Sequence, residues 1–259
     1  MVRVCILFAA GTNCETETAD AFEYVGAVAE VVHINRFRQR QCRLDGFDIL
    51  VIPGGFSYGD YIASGRILAN ELRHSLKEEI EGFLAAGRLI LGICNGFQVL
   101  VKCGLLPGLS HPFEPQSVTL DANDSFRYED RWVHLRVEHS PCVFTRGLPD
   151  TAYLPVAHAE GKFAVGSSAV LDRLNRHGLV ALRYVTAAGG RAGYPDNPNG
   201  SVQGIAGICD PTGRVFGLMP HPERYTRPTH HPSWSRKRPD SPHGVLIFEN
   251  AVSYVKENC

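Results

Sequence analysis

No charge of either sign predominates in this 259-residue sequence: 26 lysines and arginines stand against 27 aspartates and glutamates, a formal net charge of −1. That balance gives no field for holding a nucleic-acid backbone or an anionic membrane surface, and both partner classes are set aside. No run approaches the roughly 20 apolar residues that a membrane-spanning helix needs. The opening stretch MVRVCILFAAGTN is apolar, but it lacks a small-residue cleavage site and passes straight into helix-patterned sequence. It therefore reads as a buried first strand and not as a signal peptide. A soluble, cytoplasmic protein is expected. Also missing are a Cys-x-x-Cys pair and a His-Glu-x-x-His motif, so structural zinc and zincin chemistry lack support and no bound metal is expected. Without a Gly-x-x-x-x-Gly-Lys-[Ser/Thr] loop, nothing here reads as an ATP site, and no internal repeat is visible. The eight cysteines, Cys5, Cys14, Cys42, Cys94, Cys103, Cys142, Cys209 and Cys259, are scattered, several in apolar strands. In a chain of this length they read as reduced thiols, not as a disulfide framework.

The hydrophobic content is 44%, which suits one large α/β domain over 1–259. Near-continuous apolar runs of strand length occur at 2–8, 27–34, 48–52 and 88–93. Between them, 16–26 places Ala19, Phe22 and Val25 at helical spacing before Gly26, and 64–87 carries a helical stripe of Ile67, Leu68, Leu72, Leu76, Ile80, Phe83 and Leu84. Buried strands alternating with amphipathic helices predict an open, doubly wound, mostly parallel sheet with helices on both faces. Later segments change character: 117–120 and 132–138 alternate, while 205–209 and 214–219 flank Asp210-Pro-Thr-Gly213, a hairpin turn signal. They predict an antiparallel extension of the same sheet. A last amphipathic helix is expected over 241–257. The stretch 226–244, rich in Pro, Ser and basic residues, reads as a surface loop, and its Arg236-Lys-Arg238 run as a solvated one.

Chemistry concentrates in three places. The strand 88–93 enters Gly92-Ile-Cys94-Asn-Gly96-Phe-Gln98, after which helical spacing resumes. This is the form of a nucleophile elbow, in which a strand turns sharply into a helix and flanking glycines leave room for a strained backbone. Cys94 would stand exposed at the carboxyl edge of the sheet, where a helix N-terminus favours negative charge and open α/β sheets bind ligands. The amide of Asn95 would point at the oxyanion of a tetrahedral intermediate. A buried cysteine in a glycine-flanked turn fits the same local pattern. At the end of the 48–52 strand, Pro53-Gly54-Gly55 can bring another backbone amide to that edge; an ordinary βα turn would also take glycine. A thiol nucleophile needs a base and the base an orienting group, and Met219-Pro-His221-Pro-Glu223-Arg224 offers both. With prolines on either side, His221 and Glu223 are expected to project from the same side of an extended strand.

Together these residues resemble the class I, triad-type glutamine amidotransferases. The resemblance covers most of the chain and rests on Gly11-Thr-Asn-Cys14, Pro53-Gly-Gly-Phe-Ser-Tyr-Gly-Asp60, Gly92-Ile-Cys-Asn-Gly-Phe-Gln98, His158-Ala-Glu-Gly-Lys162, Asn197-Pro-Asn-Gly-Ser201, Ile205-Ala-Gly207 and Met219-Pro-His-Pro-Glu-Arg224. It implies Cys94, His221 and Glu223 as the triad, Gly55 and Asn95 as oxyanion donors, and Gln98 as a residue that helps hold the substrate, L-glutamine. His158 matches a subfamily histidine for which a structural role at a strand end is equally open. Asn95 and the GGFSYGD and NPNGS segments resemble the members that serve purine biosynthesis. Those members pass ammonia to a separate ATP- and Mg-using synthetase, with or without a small bridging subunit, which converts formylglycinamide ribonucleotide to its amidine. No cofactor is implied in this chain. The 226–244 stretch exceeds the usual tail of such proteins and could cap the site or touch the synthetase. Two other readings stay open: an amidotransferase or γ-glutamyl hydrolase for another pathway, and a non-catalytic sensor or scaffold in which Cys94 is an oxidisable thiol.

Overall fold

The computed structural model describes residues 1–236 and 241–258. Its first half alternates β1 (Arg3–Phe8), α1 (Glu15–Tyr24), β2 (Val28–His33), the short α2 (Ile34–Arg38), β3 (Ile49–Ile52), α3 (Arg66–Ser75), α4 (Lys77–Ala85), β4 (Leu89–Ile93) and α5 (Asn95–Cys103). Every residue of β3 and β4 is buried, as a sheet covered on both faces requires. The second half adds β5 (Val118–Asp121), β6 (Glu129–Val137), β7 (Thr151–His158), β8 (Lys162–Val165), α6 (Ser168–Arg176), β9 (Val180–Val185), β10 (Ile205–Cys209), β11 (Val215–Leu218) and α7 (His243–Asn258).

Nine strands share one sheet in the order β2-β1-β3-β4-β11-β10-β9-β6-β7. From β2 to β11 neighbours run parallel. Beyond β11 every pairing is antiparallel. The α/β sheet with an antiparallel extension is therefore as expected, and the Asp210–Gly213 turn joins β10 to β11 as a hairpin, with Gly213 at φ 72°. Helix α1 ends before Gly26, whose φ of 82° suits glycine at that position. Phe22 of α1 meets Phe248 of α7 edge-on, at 4.9 Å between ring centroids.

Two local expectations are corrected. The stripe over 64–87 is two helices, broken at Leu76 (φ −125°, ψ 9°). Leu76 N still donates to Leu72 O and Leu76 O accepts from Ile80 N, so a one-residue break keeps the apolar stripe nearly in phase. Segment 117–120 does not join the large sheet. As β5 it pairs with β8 in a separate two-stranded ribbon, because alternation marks a half-buried strand without saying which partner takes it. In the described part of 226–244, residues 227–230, 232 and 234–236 are exposed, while Thr226 is buried and the ring of His231 sits 5.7 Å from those of Trp132, Tyr153 and Tyr225. His243 Nδ1 accepts from Tyr153 N. Lys237 and Arg238 of the basic run lie outside the described residues, as does Cys259. The seven described cysteines are free thiols.

Candidate active site

Strand β4 ends at Ile93, and the chain turns into α5 through Cys94 at φ 50°, ψ −103°. A non-glycine residue there stores strain, which sharp strand-to-helix elbows use to present a side chain. The helix can hug the sheet there only because residue 96 is a glycine: a Cβ on Gly96 would fall 1.8 Å from Ile52 O. Cys94 N donates to Leu218 O, tying the elbow to the end of β11. The thiol is less open than the sequence suggests. Cys94 is only 5% exposed, and its Sγ faces the Ala157 carbonyl at 3.6 Å, because the end of β7 closes over that sheet edge.

Immediately after β11 comes His221, extended at φ −105°, ψ 91°, with its amide donating to Pro155 O of β7. Glu223 lies in a single 3₁₀ turn, Pro222–Arg224. The expected extended geometry is thus corrected: the chain folds back after Pro222, and the turn brings Glu223 Oε1 to 2.5 Å from His221 Nδ1. Both side chains are buried. Nδ1–H therefore donates to the carboxylate, while Nε2 has no hydrogen-bond partner among the described residues. Burial alone pulls the His221 pKa down. The charge of the Glu223 carboxylate, then the nearby sulfurs of Cys94 and Cys14, outweigh it and hold the pKa well above 6.5. Cys94 is thus near enough to act on the ring without a tight thiol–imidazole bond, a slackness common before substrate arrives.

The Pro53–Gly55 turn meets the 11–14 loop as an isolated antiparallel bridge, Thr12 opposite Gly55. The flanking bonds are Asn13 N to Gly54 O and Phe56 N to Gly11 O. They leave the Gly55 amide, at φ 138°, out of the pairing. The Asn95 amide opens α5, where a first-turn N–H has no intrahelical acceptor. Its side chain explains why Asn95 and the GGFSYGD segment occur together: Oδ1 accepts from Ser57 N, and Nδ2 donates to Asp60 Oδ1 and Gln98 Oε1. Gln98 is buried, and its Nε2 donates to Glu160 O at 2.5 Å, so its carboxamide braces the 157–161 segment.

Sequence reasoning gave no role to Cys14, Glu17 or Arg224. Donor-type atoms of Cys14, Glu17, His221 and Glu223 lie within 4.8 Å of one another. Arg224 already puts positive charge there, its Nε donating to Glu17 Oε1 and its Nη2 to Cys14 Sγ. The Gly11–Cys14 marker was the available signal, but it says nothing of a partner 210 residues away. Asn123 was missed altogether. It is fully buried and bonded to His158. His158 itself is depressed to about 3 by burial first and then by the neighbouring His221.

A family model described as CobB/CobQ-like glutamine amidotransferase domain matches residues 1–255. The chain belongs to that family. This amidotransferase is 47% identical over 260 residues to the phosphoribosylformylglycinamidine synthase subunit PurQ of Dehalococcoides mccartyi, covering 99% of this chain and 98% of that protein. It is 42% identical to the PurQ of Archaeoglobus fulgidus, at 99% and 98% coverage. Among solved structures, PurLQS from Thermotoga maritima contains a chain matched with a TM-score of 0.74 and 30% identity, over 98% of this chain and 99% of that one. The amidotransferase is an enzyme of the α/β class, and among its described residues no helix is long and apolar enough to cross a membrane.

Proposed function

We propose that this chain is the glutaminase of a phosphoribosylformylglycinamidine synthase, working as a single domain over 1–259 in the cytoplasm. The observation that carries the chemistry is the meeting, at one sheet edge, of a cysteine in a strained elbow and a buried His221–Glu223 pair. Cys94 sulfur attacks the side-chain amide carbon of glutamine, and the oxyanion that forms is taken by the Gly55 and Asn95 amides. His221, held in one tautomer by Glu223, carries the thiol proton to the leaving nitrogen, so that ammonia departs and a γ-glutamyl thioester remains. Water then attacks the thioester carbonyl with His221 as base, and glutamate and the free thiol are restored. Gln98 helps hold the glutamine through the 160 carbonyl that it braces. No step calls for a cofactor in this chain.

Near-full-length identity to PurQ proteins and the match to PurLQS support the customer: a separate synthetase that uses ATP and Mg to convert formylglycinamide ribonucleotide to its amidine, with a small bridging subunit in the assembly. The experiment measures glutamate release by wild type and Cys94→Ala, each with and without that synthetase, ATP and the nucleotide. Activity that requires Cys94 and rises on adding the synthetase and its substrates is expected. Cys94-dependent hydrolysis indifferent to them would refute the assigned partner. No hydrolysis by folded protein under any of these conditions would refute the glutaminase itself.

A further inference from the structure

The segment from Ala157 to Gly161 leaves β7 over the catalytic edge, and its main-chain groups divide cleanly. Asn123, fully buried on a distant loop, takes three of them: its Nδ2 donates to His158 O (2.8 Å), its amide N donates to Ala159 O (2.9 Å), and its Oδ1 accepts from Gly161 N (3.1 Å). Gly161 O faces Ser201 Oγ at 3.4 Å and shares its single proton with Asn199 Oδ1. Two carbonyls remain, and both point at the reaction centre: Ala157 O at Cys94 Sγ, and Glu160 O at Gln98 Nε2.

The key of this arrangement is the His158 ring. Nδ1–H donates to Asn123 Oδ1 (3.1 Å), and Nε2 accepts from Asn199 Nδ2 (3.4 Å). Asn199 is then fully used: Nδ2 also reaches the Tyr184 hydroxyl (3.3 Å), and Oδ1 accepts from Ser201 N (3.1 Å) and Ser201 Oγ (2.7 Å). Asn123 spends its last donor on Arg127 O (2.9 Å). Only one tautomer and one set of amide orientations satisfies all these bonds, which makes a buried polar network rigid and specific instead of merely tolerated. Gly161 lies flat on the ring, since a Cβ there would be 2.5 Å from His158 Nδ1 and Cε1. This accounts for the HAEGK and NPNGS segments, which otherwise touch no reacting group.

We propose that His158, gripped between Asn123 and Asn199, is a positioning residue that fixes the 157–161 segment so that its Glu160 carbonyl orients the Gln98 carboxamide, which helps hold glutamine. The proposal rests on the glutaminase reading above. A strut with no more than a structural role would lower stability alone. A positioning role weakens capture of glutamine while leaving the intrinsic reactivity of the thiol in place, because His221 and the α5 N-terminus do not move.

The test compares wild type, His158→Ala and His158→Gln in three measurements made with the synthetase present: glutamine kinetics, thermal melting, and the rate of Cys94 alkylation by iodoacetamide, located by peptide mass spectrometry. For His158→Ala the KM for glutamine is expected to rise about tenfold or more, with alkylation of Cys94 within about twofold of wild type. Glutamine at 158 can donate and accept in the same two directions and is expected to recover most of the KM. Wild-type kinetics in folded His158→Ala would overturn the proposal. So would a melting temperature lowered in both variants with KM unmoved. If His158→Ala does not fold, Asn199→Ser, which leaves the ring in place, decides by the same KM criterion. Failure of wild type to hydrolyse glutamine would instead strike the glutaminase reading, so the two failures are distinguishable.

Discussion

Two histidines are buried in this molecule, His221 at 2% and His158 at 3% exposure, and their pKa values are pushed in opposite directions. Burial pulls both towards neutrality. His221 resists because the Glu223 carboxylate and the Cys94 thiol face it, whereas His158 meets two amides and another histidine and falls to about 3. Burial therefore does not by itself decide whether a histidine carries a proton; it prevails at His158, and charged neighbours outweigh it at His221. The protonated form is favoured at one imidazole, and the other is held neutral until pH falls towards 3. A proton on His158 Nε2 would point at the N–H of Asn199 and break the network that holds the site.

The sharpest way to break this contrast is to give His221 the surroundings of His158. Glu223→Gln replaces the carboxylate by an amide of the same shape. His221 is expected to titrate lower, followed by imidazole NMR, and glutaminase turnover to fall about 10³- to 10⁴-fold with the fold retained. Unchanged turnover would remove Glu223 from the mechanism.

A smaller effect concerns stability against pH. For His158 the folded pKa of about 3 lies below the ordinary 6.5, so between these values the unfolded chain binds more protons. Stability contributed by the neutral ring is present above about 6.5 and is lost as pH falls towards 3. His221 has the opposite sign: its raised folded pKa gives stability that is full below 6.5 and is lost as pH climbs through the folded value. Urea midpoints measured from pH 7 to 4 are expected to fall less steeply for His158→Gln than for wild type, because glutamine has no proton to take up. Equal slopes would mean that His158 is not held neutral.

The smallest effect marks where the network ends. Lys162 closes the HAEGK segment, but its ammonium pairs with the exposed Asp124 at 2.6 Å, and exposed pairs of this kind contribute about 0–1 kcal/mol. Lys162→Ala should shift the urea midpoint only slightly and leave the KM for glutamine unchanged. A tenfold KM change would extend the positioning role to the surface.

What was legible in the sequence follows the range of the interactions. The parallel half could be read because each strand is a continuous apolar run and each helix a local period, and Cys94, His221 and Glu223 stood out because each sits in a short turn with its own signature. The geometry between His221 and Glu223 was misread, since two prolines looked like an extended strand when the second one opens a 3₁₀ turn. The β5–β8 ribbon and the role of Asn123 were invisible for another reason. Both depend on pairings between segments about 40 to 50 residues apart, such as Val118 with Val165 and Asn123 with Gly161, and nothing in the local pattern of either segment selects its partner. Likewise, a lone Asn carries no mark that it will hold three backbone groups of another segment, two through its side chain and one through its own N–H.

Two thiols, Cys94 and Cys14, adjoin His221, and the account makes only Cys94 the nucleophile. The most direct test is to quench the enzyme in acid during glutamine turnover and find by mass spectrometry which cysteine carries a γ-glutamyl group. The adduct is expected on the Cys94 peptide, absent in Cys94→Ala and present in Cys14→Ala. An adduct on Cys14, or steady turnover by Cys94→Ala, would contradict the account.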